Sequence, residues 1–264
     1  MKIRILSGLA MVPLLIFVYM GGYVLYAACL VLSFFAVREF YNIFDEKPIR
    51  PVAYVSIALL YGSLPFAGTD FLPLWVFVTV ALCLVCLFRG EIYGLEDSMV
   101  TMAGIFYVVF FLFHVVLIGH FFPSGTSWIQ GWNSPVWLVP LTAFGTDIFA
   151  YFVGNLVGRH KLCPKISPKK TVEGSVGGIV GSALLCGVFG YFALPDIFVH
   201  CIVIGVLGGV VSQVGDLVAS VVKRRRGVKD YGRLIPGHGG ILDRIDSVLF
   251  TAPLVFYYMY ILAY

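Results

Sequence analysis

Charged residues are scarce in this chain: Asp, Glu, Lys and Arg make up 12% of its 264 residues, where a soluble domain carries about 25%. Lysine and arginine are missing altogether from residue 90 to residue 158. The shortage excludes an ordinary water-soluble globule, and 60% hydrophobic residues exclude a disordered chain. Cysteine is sparse too. Of the six, only Cys83-x-x-Cys86 has metal or redox spacing, and it lies in an apolar run with no second pair, which argues for lipid-span packing. No G-x-x-x-x-G-K-[ST] occurs, so a Walker phosphate loop is excluded. The apolar run after Met1-Lys-Ile-Arg4 has no clean small-residue cleavage site, and a second apolar run follows at once. It reads as a retained first helix rather than a signal peptide.

What the chain has in quantity is apolar length. Mean hydropathy is +0.95, and nearly every segment stays apolar for the roughly 20 residues a spanning helix needs. The expected fold is all-α: a polytopic integral membrane protein of about nine transmembrane helices. The spans are expected near 4–20, 23–42, 51–66, 71–88, 98–121, 136–157, 175–194, 197–222 and 243–263, punctuated by glycine and proline. With the N-terminus in the cytoplasm, all 18 cations fall on the cytoplasmic side and none on the other. By the positive-inside rule the C-terminus then lies on the opposite side. Residues 1–135 form an N-terminal group of five spans. Residues 136–264 form a catalytic region of four, with cytoplasmic loops 158–174 and 223–243.

Those two loops, with Arg244 just beyond the second, hold 12 of the 18 cations, interleaved with carboxylates, glycines and histidines. Asp216 lies seven residues before Lys223, so about 10 Å inside the helix end. A carboxylate at that depth is a functional-site hypothesis, and Ser212 and Ser220 share its helix face. Asp243 and Asp246, three residues apart, face one way at the start of the last span, where they could also serve as helix caps. Hard cations such as Mg²⁺ take carboxylate oxygens together with substrate phosphates, so Asp216, Asp243 and Asp246 are the expected metal set. Pro236-Gly-His-Gly-Gly240 with Lys223, Arg224, Lys229, Arg233 and Arg244 makes a polyphosphate cradle, in which His238 either donates to phosphate or stabilises the loop. Ser167, Lys169, Lys170 and Thr171 offer phosphate contacts, with Glu173 able to orient a lysine; a helix cap at Thr171 or Ser175 is the plainer alternative. Asp147, near mid-membrane, lines a polar cavity or fixes helix packing. The glycines of 174–181 with Gly205, Gly208 and Gly209 have the spacing of helix-packing faces.

The second loop, Ser220-x-x-Lys-Arg-x-x-x-x-Lys-Asp-x-Gly-x-x-x-Pro-Gly-His-Gly-Gly-x-x-Asp-Arg-x-Asp246, resembles the signature of the phosphatidate cytidylyltransferases, also called CDP-diacylglycerol synthases. Asp147-x-x-Ala-Tyr-Phe-x-Gly154 and Lys165-Ile-Ser-Pro-Lys-Lys-Thr-x-Glu-Gly174 resemble the same family, with Val172 where a tryptophan is expected. The resemblance implies Mg²⁺-dependent transfer of the cytidylyl group of CTP to phosphatidic acid, with a second metal ion allowed for. It implies Asp216, Asp243, Asp246, Lys223 and Arg244 as catalytic. Ser167, Lys169, Lys170, Thr171, Glu173, Ser220, Arg224, Lys229, Asp230, Gly237, His238, Gly239 and Gly240 would bind substrate. The expected partners are CTP, phosphatidic acid and membrane lipids, with no nucleic acid, and homodimerisation is an expectation. The expected location is a bacterial cytoplasmic (inner) membrane, with the active site facing the cytoplasm. Two other readings stay open: a CTP-dependent polyprenol kinase and a cation transporter.

Overall fold

The computed structural model describes residues 15–90, 92–123, 131–234 and 239–263, with the backbone alone at Arg89 and Asn133. Residues 15–20 are helical, and Gly21 and Gly22, at φ of 60° and 46°, lead into helix α1, Gly22–Asn42. There follow α2 (Arg50–Ala67), α3 (Leu72–Val85), α4 (Leu95–Phe121), α5 (Leu138–Val157), α6 (Val172–Ala193), α7 (Phe198–Arg225) and α8 (Leu242–Ala263). Pro51 and Pro73 occupy the first turns of α2 and α3, where no intrahelical amide bond is lost.

Among the described residues, six helices are long and apolar enough to cross a membrane. They are α1, α4, Pro135–Val157 around α5, α6, Pro195–Arg225 around α7, and α8. The chain is therefore an integral membrane protein of helical build. The segments expected to span at 51–66 and 71–88 form α2, and α3 with the 3₁₀ turn Cys86–Arg89; neither is among the six. Most of the span expected at 4–20 lies outside the described residues.

One element departs from an all-helical reading. The loop expected at 158–174 contains a two-stranded antiparallel ribbon, β1 (Lys161–Cys163) and β2 (Ser167–Thr171). Lys161 faces Thr171 and Cys163 faces Ser167, and the turn is closed by Ile166 N donating to the Cys163 carbonyl at 3.2 Å. Strands of three and five residues, rich in lysine and interrupted by Pro168, carry too little alternation to be read from sequence.

The chain divides into two compact units, each discontinuous in sequence. One comprises Leu30–Phe111 with Asp230–Asp243, so a segment of the expected catalytic region packs with the expected N-terminal helices. Its helices are joined by polar pairs that leave few groups unpaired in an apolar setting. Ser33 meets Tyr61 and Ser56 meets Thr79, both at 2.8 Å, and the Trp75 indole donates to the Ser56 carbonyl at 2.9 Å. Within α4, Gly104–Phe110 winds as a π-helix. Just before it the Tyr41 hydroxyl donates to the Thr101 carbonyl at 2.7 Å, and the Tyr41 ring fills the space where a Cβ of Gly104 would stand. A side chain pressed into the helical ladder is a known cause of such a local widening.

The other unit comprises the chain up to Cys29, Leu112–Lys229 and Arg244 onward. Here α5, α6 and α7 pack through glycine. A Cβ on Gly178 would stand 2.9 Å from the Thr146 carbonyl, one on Gly209 3.0 Å from Ile179 Cα, and one on Gly205 2.6 Å from Ala183 Cα. The small-residue faces expected from sequence thus meet one another inside this unit, and they bring the polar ends of α5, α6 and α7 together.

Candidate active site

The ribbon ends in the first turn of α6, and that junction is fixed by two side chains. Thr171 is the N-cap: its hydroxyl accepts from Gly174 N at 3.1 Å, satisfying an amide that the helix leaves without a partner. Glu173 accepts from Arg159 N at 3.1 Å and His160 N at 3.2 Å, and faces His160 Nδ1 at 2.6 Å, so it closes the base of the ribbon. With the ribbon so held, β2 presents Lys169 and Lys170 beside a cavity of about 560 Å³. The cavity is walled by Asp147, Tyr151 and Asn155 of α5, Lys161 of β1, and Ser175 and Gln213 of α6 and α7. Gln213 is anchored there, donating to the carbonyls of Ser175 (3.2 Å) and Gly209 (3.1 Å) while it accepts from the Ser175 hydroxyl.

Charges of both signs converge at this cavity. Lys170 is ion-paired to Asp216 of α7. Lys223, in the last turn of α7, stands 3.9 Å from Asp246 of α8, and both side chains are about nine-tenths buried. Asp246 also accepts from Ser247 N at 2.8 Å and lies within electrostatic range of Asp216 and Asp147. Helix α8 is pressed against α7 at this level, since a Cβ on Gly215 would stand 3.0 Å from the Asp246 carbonyl. Three carboxylates, Asp147, Asp216 and Asp246, therefore share one electrostatic neighbourhood with two lysines. Like charges this close are held together by opposite charge, and the ammonium groups supply it.

Asp243 has a different setting. Its Oδ2 accepts from Tyr231 N at 2.8 Å and Gly240 N at 3.0 Å, bonds that tie the glycine-rich segment to the first turn of α8. Gly239, at φ 85°, needs glycine there, and a Cβ on it would stand 3.0 Å from the same oxygen. Asp230 flanks Gly239. Arg224 donates to the Val228 carbonyl at 3.3 Å, while Lys229 is exposed. Gly237 and His238 lie outside the described residues.

Among the described residues, no three His, Cys, Asp or Glu side chains are gathered closely enough to hold one metal ion. The set Asp216, Asp243 and Asp246 is not assembled as a cage. Yet Asp216 and Asp246, each lying against a lysine, offer hard oxygen donors of the kind Mg²⁺ uses when one or two carboxylates suffice and phosphate supplies the rest. The donor chemistry fits magnesium on those terms.

The family model described as the cytidylyltransferase family matches residues 2–262. The chain belongs to that family. It is 37% identical over 270 residues to the phosphatidate cytidylyltransferase of Synechocystis sp., covering 92% of this chain and 90% of the relative. It is 33% identical over 266 residues to the phosphatidate cytidylyltransferase of Staphylococcus haemolyticus, covering 97% of each. The match runs through the N-terminal helices as well as the signature loops.

Several residues of structural note escaped sequence reasoning. Asn155, Ser175 and Gln213 line the cavity but are common neutral side chains, and nothing in their spacing distinguishes them. Glu39 had a signal that went unused: a carboxylate next to Arg38 near the end of an apolar span, where only the arginine entered the topology argument. It is 7% exposed and accepts from Leu242 N at 2.9 Å across 203 residues.

Proposed function

We infer that this enzyme transfers the cytidylyl group of CTP to phosphatidic acid, giving CDP-diacylglycerol and pyrophosphate for phospholipid biosynthesis. The observation that carries the reading is the polar cavity between α5 and the lysine-bearing ribbon, joined to the cluster of Asp147, Asp216, Asp246, Lys170 and Lys223. It is supported by membership of a family in which the relatives compared are named for this reaction.

In the reaction a phosphate oxygen of phosphatidate bonds to the α-phosphorus of CTP as the bond from that phosphorus to the pyrophosphate oxygen breaks. A phosphate monoester loses its second proton near pH 6, so the nucleophile is already ionised and needs no strong base. The barrier is repulsion between two polyanions, and the site answers it with cations. Lys161, Lys169 and Lys170 border the cavity where a triphosphate would lie. Lys223 and Arg244 stand on the helices that carry Asp216 and Asp246. Magnesium, held by Asp216 and Asp246 with Asp243 and a second ion allowed for, would supply Lewis-acid polarisation and charge neutralisation. Ser167, Thr171, Glu173, Ser220, Arg224, Lys229, Asp230, Gly239 and Gly240 complete the proposed binding surface.

The same reading takes nine spans, a cytoplasmic N-terminus, an outward C-terminus and a site on the cytoplasmic face of a bacterial inner membrane, supported by the one-sided distribution of all 18 cations. Self-association as a homodimer belongs to it and is read by light scattering of the solubilised protein. The reaction is tested by incubating purified protein with Mg²⁺, phosphatidate and CTP labelled at either the α- or the γ-phosphorus. Lipid labelled only from the α-position is the expected result; label from the γ-position identifies a kinase, and no transfer rejects both.

A further inference from the structure

Glu39 lies in α1, in a helix otherwise fit to cross a membrane, and it is almost fully enclosed. Enclosing a carboxylate there is unfavourable unless it is put to use. Its partners all belong to the segment that leads into α8. Oε2 accepts from Leu242 N, the first residue of that helix, at 2.9 Å. Among the described residues, Oε1 is buried and accepts no hydrogen bond. Gly232 and Gly240 close over the carboxyl group from two sides: a Cβ on either would stand 2.6 Å from Glu39 Cδ. The neighbouring Phe40 ring meets that of Tyr231, centroids 6.1 Å apart, and Tyr231 N is one of the two donors to Asp243.

The first amides of a helix have no intrahelical acceptor and carry the positive end of its dipole, so an anion stabilises them. Here that anion comes from another helix. Asp243 satisfies Gly240 N and Tyr231 N, and Glu39 satisfies Leu242 N, so two carboxylates together define the first turn of α8. Asp246 follows one turn later on the same helix. We propose that Glu39 is a positioning residue for cytidylyl transfer, its carboxylate fixing the start of α8 and thereby the placement of Asp243. The glycines at 232 and 240 are required because the carboxylate occupies the space their side chains would take. The proposal rests on the reading that Asp243 serves the reacting phosphates.

The test compares purified wild type, Glu39→Ala and Glu39→Gln in phosphatidate-containing detergent micelles, measuring kcat and KM for CTP per folded molecule together with thermal unfolding. Misplacing reacting groups by about an ångström costs on the order of 100-fold in rate. Glu39→Ala is therefore expected to lower kcat roughly 10- to 100-fold with KM for CTP nearly unchanged. Glu39→Gln, which keeps an oxygen for Leu242 N, should recover most of that loss. A Glu39→Ala protein that unfolds more easily but keeps wild-type kcat in its folded fraction overturns the proposal, as does a Gln variant no more active than Ala. If Glu39→Ala yields no folded protein, Gly232→Ala decides: the same fall in kcat supports the role, and an unchanged kcat overturns it. Absence of transfer by the wild type rejects the proposed reaction itself, an outcome distinct from any failure of the variants.

Discussion

Replacing Lys223 with methionine isolates the electrostatics of the carboxylate cluster. The ammonium stands 3.9 Å from Asp246 Oδ2, with the two side chains 10% and 9% exposed. At such a separation and an effective dielectric constant of ~20, two unit charges attract by about 4 kcal/mol. Removing one member of an enclosed pair leaves the other uncompensated and typically destabilises by roughly 3–5 kcal/mol. Lys223 is close to the polar end of α7, so the lower end of that range, about 3 kcal/mol, is the expected loss. Asp246→Asn should behave differently. It gives up the same attraction but also relieves repulsion from Asp216 and Asp147, so its destabilisation should stay below about 1.5 kcal/mol. The double variant should then be more stable than Lys223→Met alone. Denaturant unfolding of the four proteins in one detergent gives the double-mutant cycle, with an expected coupling of about 2–3 kcal/mol. Single effects that add to within about 0.5 kcal/mol would refute the cluster as an interacting set.

Further predictions concern the site and its supports. Asp243→Asn should abolish transfer of α-label from CTP while leaving membrane insertion and oligomeric state as in the wild type; wild-type turnover would remove Asp243 from the machinery. Neutralising Lys161 and Lys169 together should raise KM for CTP on the order of 100-fold or more, because each charge-assisted contact to phosphate contributes about 1.5–3 kcal/mol, with a smaller effect on kcat. Thr171→Ala should cost about 1 kcal/mol by loss of the α6 N-cap, and Thr171→Ser should retain most of it, as read by thermal unfolding. Gly178→Val should destabilise by about 1–3 kcal/mol or more, because its side chain must enter space held by the Thr146 carbonyl and the Ala150 methyl.

Features that depend on local composition were legible in the sequence. The helices fall where apolar runs and their glycine and proline breaks place them, and the glycine spacing in 174–181 and 205–209 foretold which faces of α6 and α7 touch their neighbours. Asp216 stood out because a carboxylate in an apolar helix is rare, and Asp246 because it shares a helix face with Asp243 beside a cation-rich loop; the structure brings Asp216 and Asp246 together. What could not be read depends on distant pairing. Asp147 joins Asp216 and Asp246 only because α5 packs on α6 and α7, so from sequence it stayed balanced between cavity and packing. Asp243 seemed equivalent to Asp246 by spacing, but a backbone amide twelve residues upstream faces one and Lys223 faces the other. The ribbon at 161–171 was hidden because its strands are shorter than the periodicity that reveals a strand.

The glycine contacts among α5, α6 and α7 bear on how this site keeps its shape. Glycine has no rotamers to freeze, so main chain packed on main chain orders an interface without loss of side-chain entropy. Such a contact also has no side-chain hinge through which to yield: a carbonyl against a Cα can only stay or separate. Asp147 and Asp216, carried on two of these helices, are thus spaced by main-chain contact rather than by adjustable side chains. The wall of the cavity is stiff by construction, and what freedom of shape it has falls to the ribbon.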